Sequence, residues 1–315
     1  MTDSLVLPSA VRTAFARIVD YAGLFPPAEL SLESAAKEYL DHRKGPQSWM
    51  LGRFVAPVKD LSLVRRRFEN EPPVPIAAIT DIPRDPDNWD TAYSDYLEEA
   101  STFLTGPAQL EAMETTKTLI ASEDEKKMFF GMMRQFREYL GTYGLDSIPV
   151  AVELPWGLDR DTCIETLGLL QELGFAAKIR CGGVIADAVP PVDELAHVID
   201  AAVRAGVALK ATAGLHHPVR HLNKDAGFVM HGFLNVLAAA AFAPQCDNAT
   251  LEAIVSEEDP QAFRFDDRGF WWNEYVADDQ RLQEVRVHRF RGFGSCSFGE
   301  PVDDLVALGI LPASA

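Results

Sequence analysis

Two lysines occupy matching stretches of this chain, Gly174-Phe-Ala-Ala-Lys178-Ile-Arg180-Cys-Gly-Gly183 and Gly206-Val-Ala-Leu-Lys210-Ala-Thr212-Ala-Gly214-Leu215, 32 residues apart. In each, an apolar β-type run follows a helix-ending glycine, reaches a lysine and finishes in glycine. An ammonium is costly to bury, so two at equivalent strand positions point to a pair of amines converging on one pocket. Strand alternation puts Lys178 and Arg180 on one face, and likewise Lys210 and Thr212. The plain alternative turns both lysines outward, their stems lying under helices. Clustered amines suit carbonyl chemistry. Lysine ordinarily titrates near pH 10.4, and apolar walls plus a second cation can lower one amine toward 7 at a cost of about 4 to 5 kcal/mol. A neutral amine adds to a carbonyl and forms a Schiff base, whose iminium weakens the adjacent C–C or C–H bond. Arg180 and Arg220 suit a substrate carboxylate through paired hydrogen bonds.

Other polar residues collect where strands should end. In chain order they are Asp20 and Tyr21, Arg53, Asp81, Glu111 and Glu114, Glu153, then the two lysine stretches, and finally Ser295, Cys296 and Ser297. His216 and His217 follow the second lysine at once and are candidates to move protons. With His221 they support a rival reading. The three histidines, joined by Glu153 or Cys181, would bind a divalent metal such as zinc and serve a hydrolase or isomerase. Cys296, inside Gly-Ser-Cys-Ser-Phe-Gly, reads as a small residue at a tight turn, because nothing in the spacing puts a histidine beside it.

The elements that must position these residues alternate. Strands are expected at Ile18–Phe25, Leu51–Val58, Pro75–Ile82, Gln109–Thr116, Ile148–Trp156, Ala176–Gly183, Ala208–Leu215 and Gly292–Phe298. Amphipathic helices are expected at Ser31–His42 (Ser31 as N-cap), Leu61–Phe68, Trp89–Phe103, Glu123–Leu140, Asp159–Leu173 and Val192–Ala205. Eight strands alternating with helices imply parallel pairing and closure into an α/β fold, the (β/α)8 TIM barrel, as one domain over 1–315. An open nucleotide-binding sheet lacks its G-x-G-x-x-G and P-loop signatures here. Phe228–Ala243 reads as a long apolar helix after strand seven. Residues 245–288, acidic and rich in Phe and Trp, form a helical, aromatic insertion between strands seven and eight. It packs on the barrel, covers the mouth as a lid, or serves as a contact in a homo-oligomer.

The lysine stretches and the Arg291-Gly-Phe-Gly-Ser-Cys-Ser turn resemble the class I aldolase barrels of the deoxyribose-phosphate aldolase type. That family carries a Schiff-base lysine on strand six, a second lysine on strand seven and an R-x-G-x-S-S turn after strand eight. The resemblance implies a lyase without a cofactor, with Lys178 as the Schiff-base lysine, Lys210 as its pKa-lowering neighbour, and Asp20 or Glu114 as acid/base carboxylates. It covers about thirty residues in three pieces. Arg180 departs from the family's small hydroxyl residue. Glu300, Asp303 and Asp304 crowd the helix start where the family binds phosphate, and carboxylates there compete with such a group.

Composition bounds the partners. A net charge of −18 argues against nucleic acid and anionic membranes. Four dispersed cysteines without a CxxC pair, and an N-terminus without a basic-then-apolar segment, suggest a reducing cytoplasm. The reading is an aldolase-like lyase or isomerase for a small anionic carbonyl compound. Catalysis would fall to Lys178, Lys210, His216, His217, Asp20 and Glu114, and substrate binding to Arg180, Thr212, Arg53, Glu153, Arg220 and Ser295. A non-catalytic anion-binding barrel is the remaining alternative.

Overall fold

A computed structural model describes residues 7–81, 89–116 and 120–313, apart from the side chains of 89–92. The expected N-terminal stretch Met1–Leu5 and the last residue of predicted strand three, Ile82, lie outside the described residues. Helix α1 (Ser9–Phe15) leads into β1 (Val19–Tyr21). There follow α2 (Leu32–Lys44), β2 (Leu51–Pro57), α3 (Leu61–Arg67), β3 (Val74–Thr80), α4 (Trp89–Ser101), β4 (Ala108–Thr115), α5 (Glu123–Thr142), β5 (Val150–Glu153), α6 (Arg160–Leu173), β6 (Ala176–Arg180), α7 (Val192–Ala205) and β7 (Leu209–Thr212). The connection to the last barrel strand holds β8 (His221–Asn223), β9 (Phe228–Met230), α8 (Phe233–Phe242), α9 (Asn248–Ser256), β10 (Phe263–Asp266), β11 (Gly269–Trp272), β12 (Tyr275–Ala277) and α10 (Asp279–His288). The chain then enters β13 (Phe290–Ser295) and closes with α11 (Gly299–Ala307). Eight strands form a closed barrel in the order β1, β13, β7, β6, β5, β4, β3, β2, each pair parallel. This is the (β/α)8 TIM barrel expected from the alternation.

Local signals account for the boundaries. Ser31, Ser122 and Asp159 cap α2, α5 and α6 by accepting hydrogen bonds from the amides of Ser34, Glu125 and Thr162. Gly174 and Gly206 end α6 and α7 in the left-handed conformation, so the two lysine strands start from the same kind of helix exit. Register then sets Lys178 opposite Lys210 and Arg180 opposite Thr212. The glycine four residues beyond each lysine also has a cause. A Cβ on Gly214 (φ 71°) would meet Gly182 Cα at 2.9 Å, so the turns after β6 and β7 touch backbone to backbone.

The connection between β7 and β13 departs from expectation. The apolar run from 228 is not one helix: Phe228–Met230 pairs antiparallel with His221–Asn223 as a hairpin, and the helix starts only at Phe233. The aromatic insertion is not simply helical. Its Phe and Trp residues build the antiparallel sheet β10–β11–β12, which packs against α1, α8 and α10. Phe265 stacks on Phe270 at 4.7 Å and tilts against Phe15 of α1 at 5.2 Å. Phe15 belongs to the helix that enters the barrel at the N-terminal end of β1, and no residue of 245–288 lines the mouth cavity described below. The insertion packs on the barrel and does not line that cavity. The hairpin β8–β9 reaches that cavity instead. Among the described residues no helix is long and apolar enough to cross a membrane.

The turn contact gives a stability prediction. Gly214→Ala is expected to cost about 2 to 3 kcal/mol, through its left-handed backbone and the collision with Gly182. Gly168→Ala, within α6 where an added Cβ meets nothing within 4 Å, should gain about 0.5 to 1 kcal/mol. Urea-unfolding midpoints of the two variants check both signs.

Candidate active site

The barrel interior carries a polar layer on a floor of alanines. Ala151, Ala176 and Ala208 cluster on β5, β6 and the approach to β7, each two residues before Glu153, Lys178 or Lys210. With period-two alternation, these small side chains fill the layer below and leave length for the lysine stems. Lys178 Nζ lies 3.0 Å from Glu114 Oε2 and 3.2 Å from Glu153 Oε2, and donates to the Thr115 carbonyl at 3.2 Å. Lys210 Nζ donates to Asp20 Oδ2 and to Glu114 Oε1. Glu114 thus spends one oxygen on each lysine. All five of these charged side chains are buried.

Beneath them, the amide of Arg53 donates to Asp20 Oδ1 at 2.7 Å, and its guanidinium lies 3.4 Å from Asp20 and 3.5 Å from Glu111. Arg17 pairs with Glu111 at 2.5 Å. The cations Arg17, Arg53, Lys178 and Lys210 therefore face the carboxylates of Asp20, Glu111, Glu114 and Glu153. Arg180, its side chain 44% exposed and 3.8 Å from Glu153, stands above them toward the mouth. Trp156 Nε1 donates to the Arg180 carbonyl at 2.8 Å and fixes the end of β6.

Electrostatics follow from these contacts. Burial pushes the Asp20 carboxyl up, but Lys210 and Arg53 outweigh it and bring it to about 2. Glu114 likewise is raised by burial yet lies below the usual carboxylate range, held there by Lys210 and Lys178. Burial lowers Lys210, and Asp20 with Glu114 more than reverse this, so its pKa is raised. Glu114 lies between the two ammonium groups, and Lys210 is a firmly paired cation.

A cavity of about 1150 Å³ opens at the C-terminal ends of the strands. Glu114, Glu153, Lys178, Arg180, Thr212, His216, His217, Cys296 and Glu300 line one part. Phe25, Pro26, Pro27, Val55 and Ile79 form an apolar part, and Asn223, Phe228 and Met230 of the hairpin reach it as well. Lys178 lines this cavity, whereas Lys210 and Asp20, equally buried, are not among its lining residues. Three expected substrate contacts lie elsewhere. Arg53, third in the seven-residue β2, is too deep and braces Asp20. Ser295 is buried and its Oγ accepts from the Ser297 amide. Arg220 pairs with Glu258, while its amide donates to Asn235 Oδ1 at 2.9 Å.

The histidines are engaged separately. His216 Nδ1 lies 2.7 Å from Glu300 Oε2, with its Nε2 3.7 Å from Cys296 Sγ. His217 Nδ1 lies 2.6 Å from Asp304 Oδ2. The His221 ring donates to the Val219 carbonyl at 3.0 Å and packs edge-on to His217 at 4.5 Å. Among the described residues, no group of three or more His, Cys, Asp or Glu is arranged to hold a metal ion. Glu300 and Asp304 were not anticipated as histidine partners. Their spacing is the available signal: four apart on α11, they share one face toward two adjacent histidines. Neither a family model nor a curated protein matches the chain.

Asp20 makes the cluster pH-dependent in a stated direction. Because its carboxyl is lowered from 3.8 to about 2, its stabilising contribution is present above pH 3.8 and is lost as pH falls through 2. The wild-type urea midpoint should drop across that window. Asp20→Asn should be weaker at neutral pH and flatter below pH 4. A variant that follows the wild-type curve in parallel would show that Asp20 contributes nothing.

Proposed function

We propose that the protein is a Schiff-base lyase or isomerase of the class I aldolase kind, acting on a small anionic carbonyl compound through Lys178. One observation carries the reading. Of two buried lysines at equivalent depth, Lys178 is the one that lines the cavity, while Lys210 is paired with Asp20 and Glu114. A nucleophile must meet its substrate; a paired cation that holds a carboxylate in place need not.

The roles follow from the contacts. Glu114 is held below the usual carboxylate range by both lysines, so it stays charged and orients Lys178. Glu153 is 3.2 Å from Lys178 and reaches the cavity, which makes it the acceptor for the ammonium proton as the amine adds to the carbonyl. Lys210 and Asp20 are positioning residues that keep Glu114 in place. Arg180, half-exposed above the amine, suits the substrate's anionic group. His216 and His217, in the turn after the neighbouring strand β7, suit proton transfer along the substrate's carbon chain. The apolar wall from Phe25 to Ile79 excludes water from the iminium.

Borohydride reduction tests the reading. With pyruvate, the peptide containing Lys178 should gain the mass of the reduced adduct, and Lys178→Met should abolish it. Glu153→Gln should slow trapping by about 100-fold, the usual scale for losing a positioned base. Trapping on Lys210 alone, or none with pyruvate and small aldehydes alike, would refute the proposal.

A further inference from the structure

Cys296 carries a free thiol on the wall of the same cavity. Its Sγ lies 3.7 Å from His216 Nε2, and the other nitrogen of that ring lies 2.7 Å from Glu300 Oε2. A thiol, an imidazole and a carboxylate in this order let the ring take the sulfur's proton while the carboxylate orients the ring. All three border the cavity. Cys296 also borders a side cleft of about 470 Å³ with Glu38, His42 and Phe298, so the sulfur is approached from two directions.

The surroundings indicate the type of step. Burial pushes the thiol's pKa up, so at rest the sulfur keeps its proton and must give it up during attack. Hydrogen bonding of Nδ1–H to Glu300 leaves Nε2 as the acceptor. Acyl transfer asks for free amides facing a developing oxyanion. Here the Ser297 amide donates to Ser295 Oγ and the Glu300 amide to Ser297 Oγ. An addition that ends with a protonated oxygen makes no such demand.

We propose that Cys296 adds reversibly to a small aldehyde in the mouth, with His216 carrying the proton and Glu300 holding His216 in the required tautomer. The S–C bond forms, the C=O π pair moves onto oxygen, and the thiol proton passes through Nε2 to that oxygen. The product is a hemithioacetal, and no oxidant or reductant is consumed. The step does not use Lys178, so it stands apart from the Schiff-base proposal.

Carbon-13 NMR with acetaldehyde labelled at its carbonyl carbon tests this on the full-length Lys178→Met protein, kept reduced with a phosphine. A protein-bound hemithioacetal signal is expected, and it should vanish in Lys178→Met/Cys296→Ser. If Lys178→Met does not fold, wild type against Cys296→Ser gives the same comparison. Iodoacetamide should alkylate Cys296 about 100-fold more slowly in His216→Asn, and Glu300→Gln should shift the pH profile of that rate. No bound signal, a signal that survives Cys296→Ser, or wild-type alkylation in a folded His216→Asn would overturn the proposal. Failure of borohydride trapping at Lys178 would instead remove the lyase reading and leave the thiol adduct untouched.

Discussion

The carboxylate of Glu114 is the point on which the barrel interior depends. One oxygen faces Lys178 and the other Lys210, so strands β4, β6 and β7 must converge with correct register and depth. Buried without Glu114, the two ammonium groups would face each other in a low-dielectric space. Removing one partner from such a network costs about 3 to 5 kcal/mol, whereas replacing the whole with well-packed apolar side chains is often neutral or better. The network is therefore a poor explanation for the fold's stability. Its cost is easier to understand if the charges are there for chemistry.

Partners differ along the barrel interior. The lower tier, Arg53, Glu111 and Arg17, braces Asp20 from below and has no access to the mouth. The middle tier holds Lys210 between Asp20 and Glu114. Lys178, Glu114, Glu153 and Arg180 border the cavity, which also takes an apolar part from the loop after β1, Val55 of β2 and Ile79 of β3, and polar side chains from the turns after β7 and β13. A substrate with an anionic end and a carbonyl would be oriented by that asymmetry before any bond formed.

Much of this was legible where the determining forces are local. Pleat alternation alone puts Lys178 beside Arg180 and Lys210 beside Thr212, and the helix caps and C-terminal glycines fix where both strands begin. The barrel follows from strands and helices taking turns. Partners distant in sequence were not legible. Asp20 and Lys210 are 190 residues apart, and no spacing rule selects Asp20 over Asp81 or Glu111. The hairpin β8–β9 was hidden for another reason. Three apolar residues before an apolar helix continue its pattern, and their pairing with His221–Asn223 is a tertiary fact. The aromatic insertion did carry a signal: Phe263 and Phe265 alternate, and Asp267-Arg268-Gly269 is a turn between β-prone runs.

Why two lysines in near-identical stretches take different positions is a matter of their neighbours. On one side of Lys178 stands β5, where Glu153 pairs in register with it and Ala151 pairs with Glu114. The small Ala151 lets Glu114 reach past β5, while Glu153 extends toward the mouth. On one side of Lys210 stands β13, which sets Gly292 opposite Lys210 and Gly294 opposite both Thr212 and Asp20. Those positions lack a side chain, so Asp20 reaches across β13 from β1 and pairs with the amine. Equivalent sequence thus yields one lysine that lines the cavity and one paired with Asp20 and Glu114. The difference is written in the small residues of the flanking strands, not in the lysine stretches themselves.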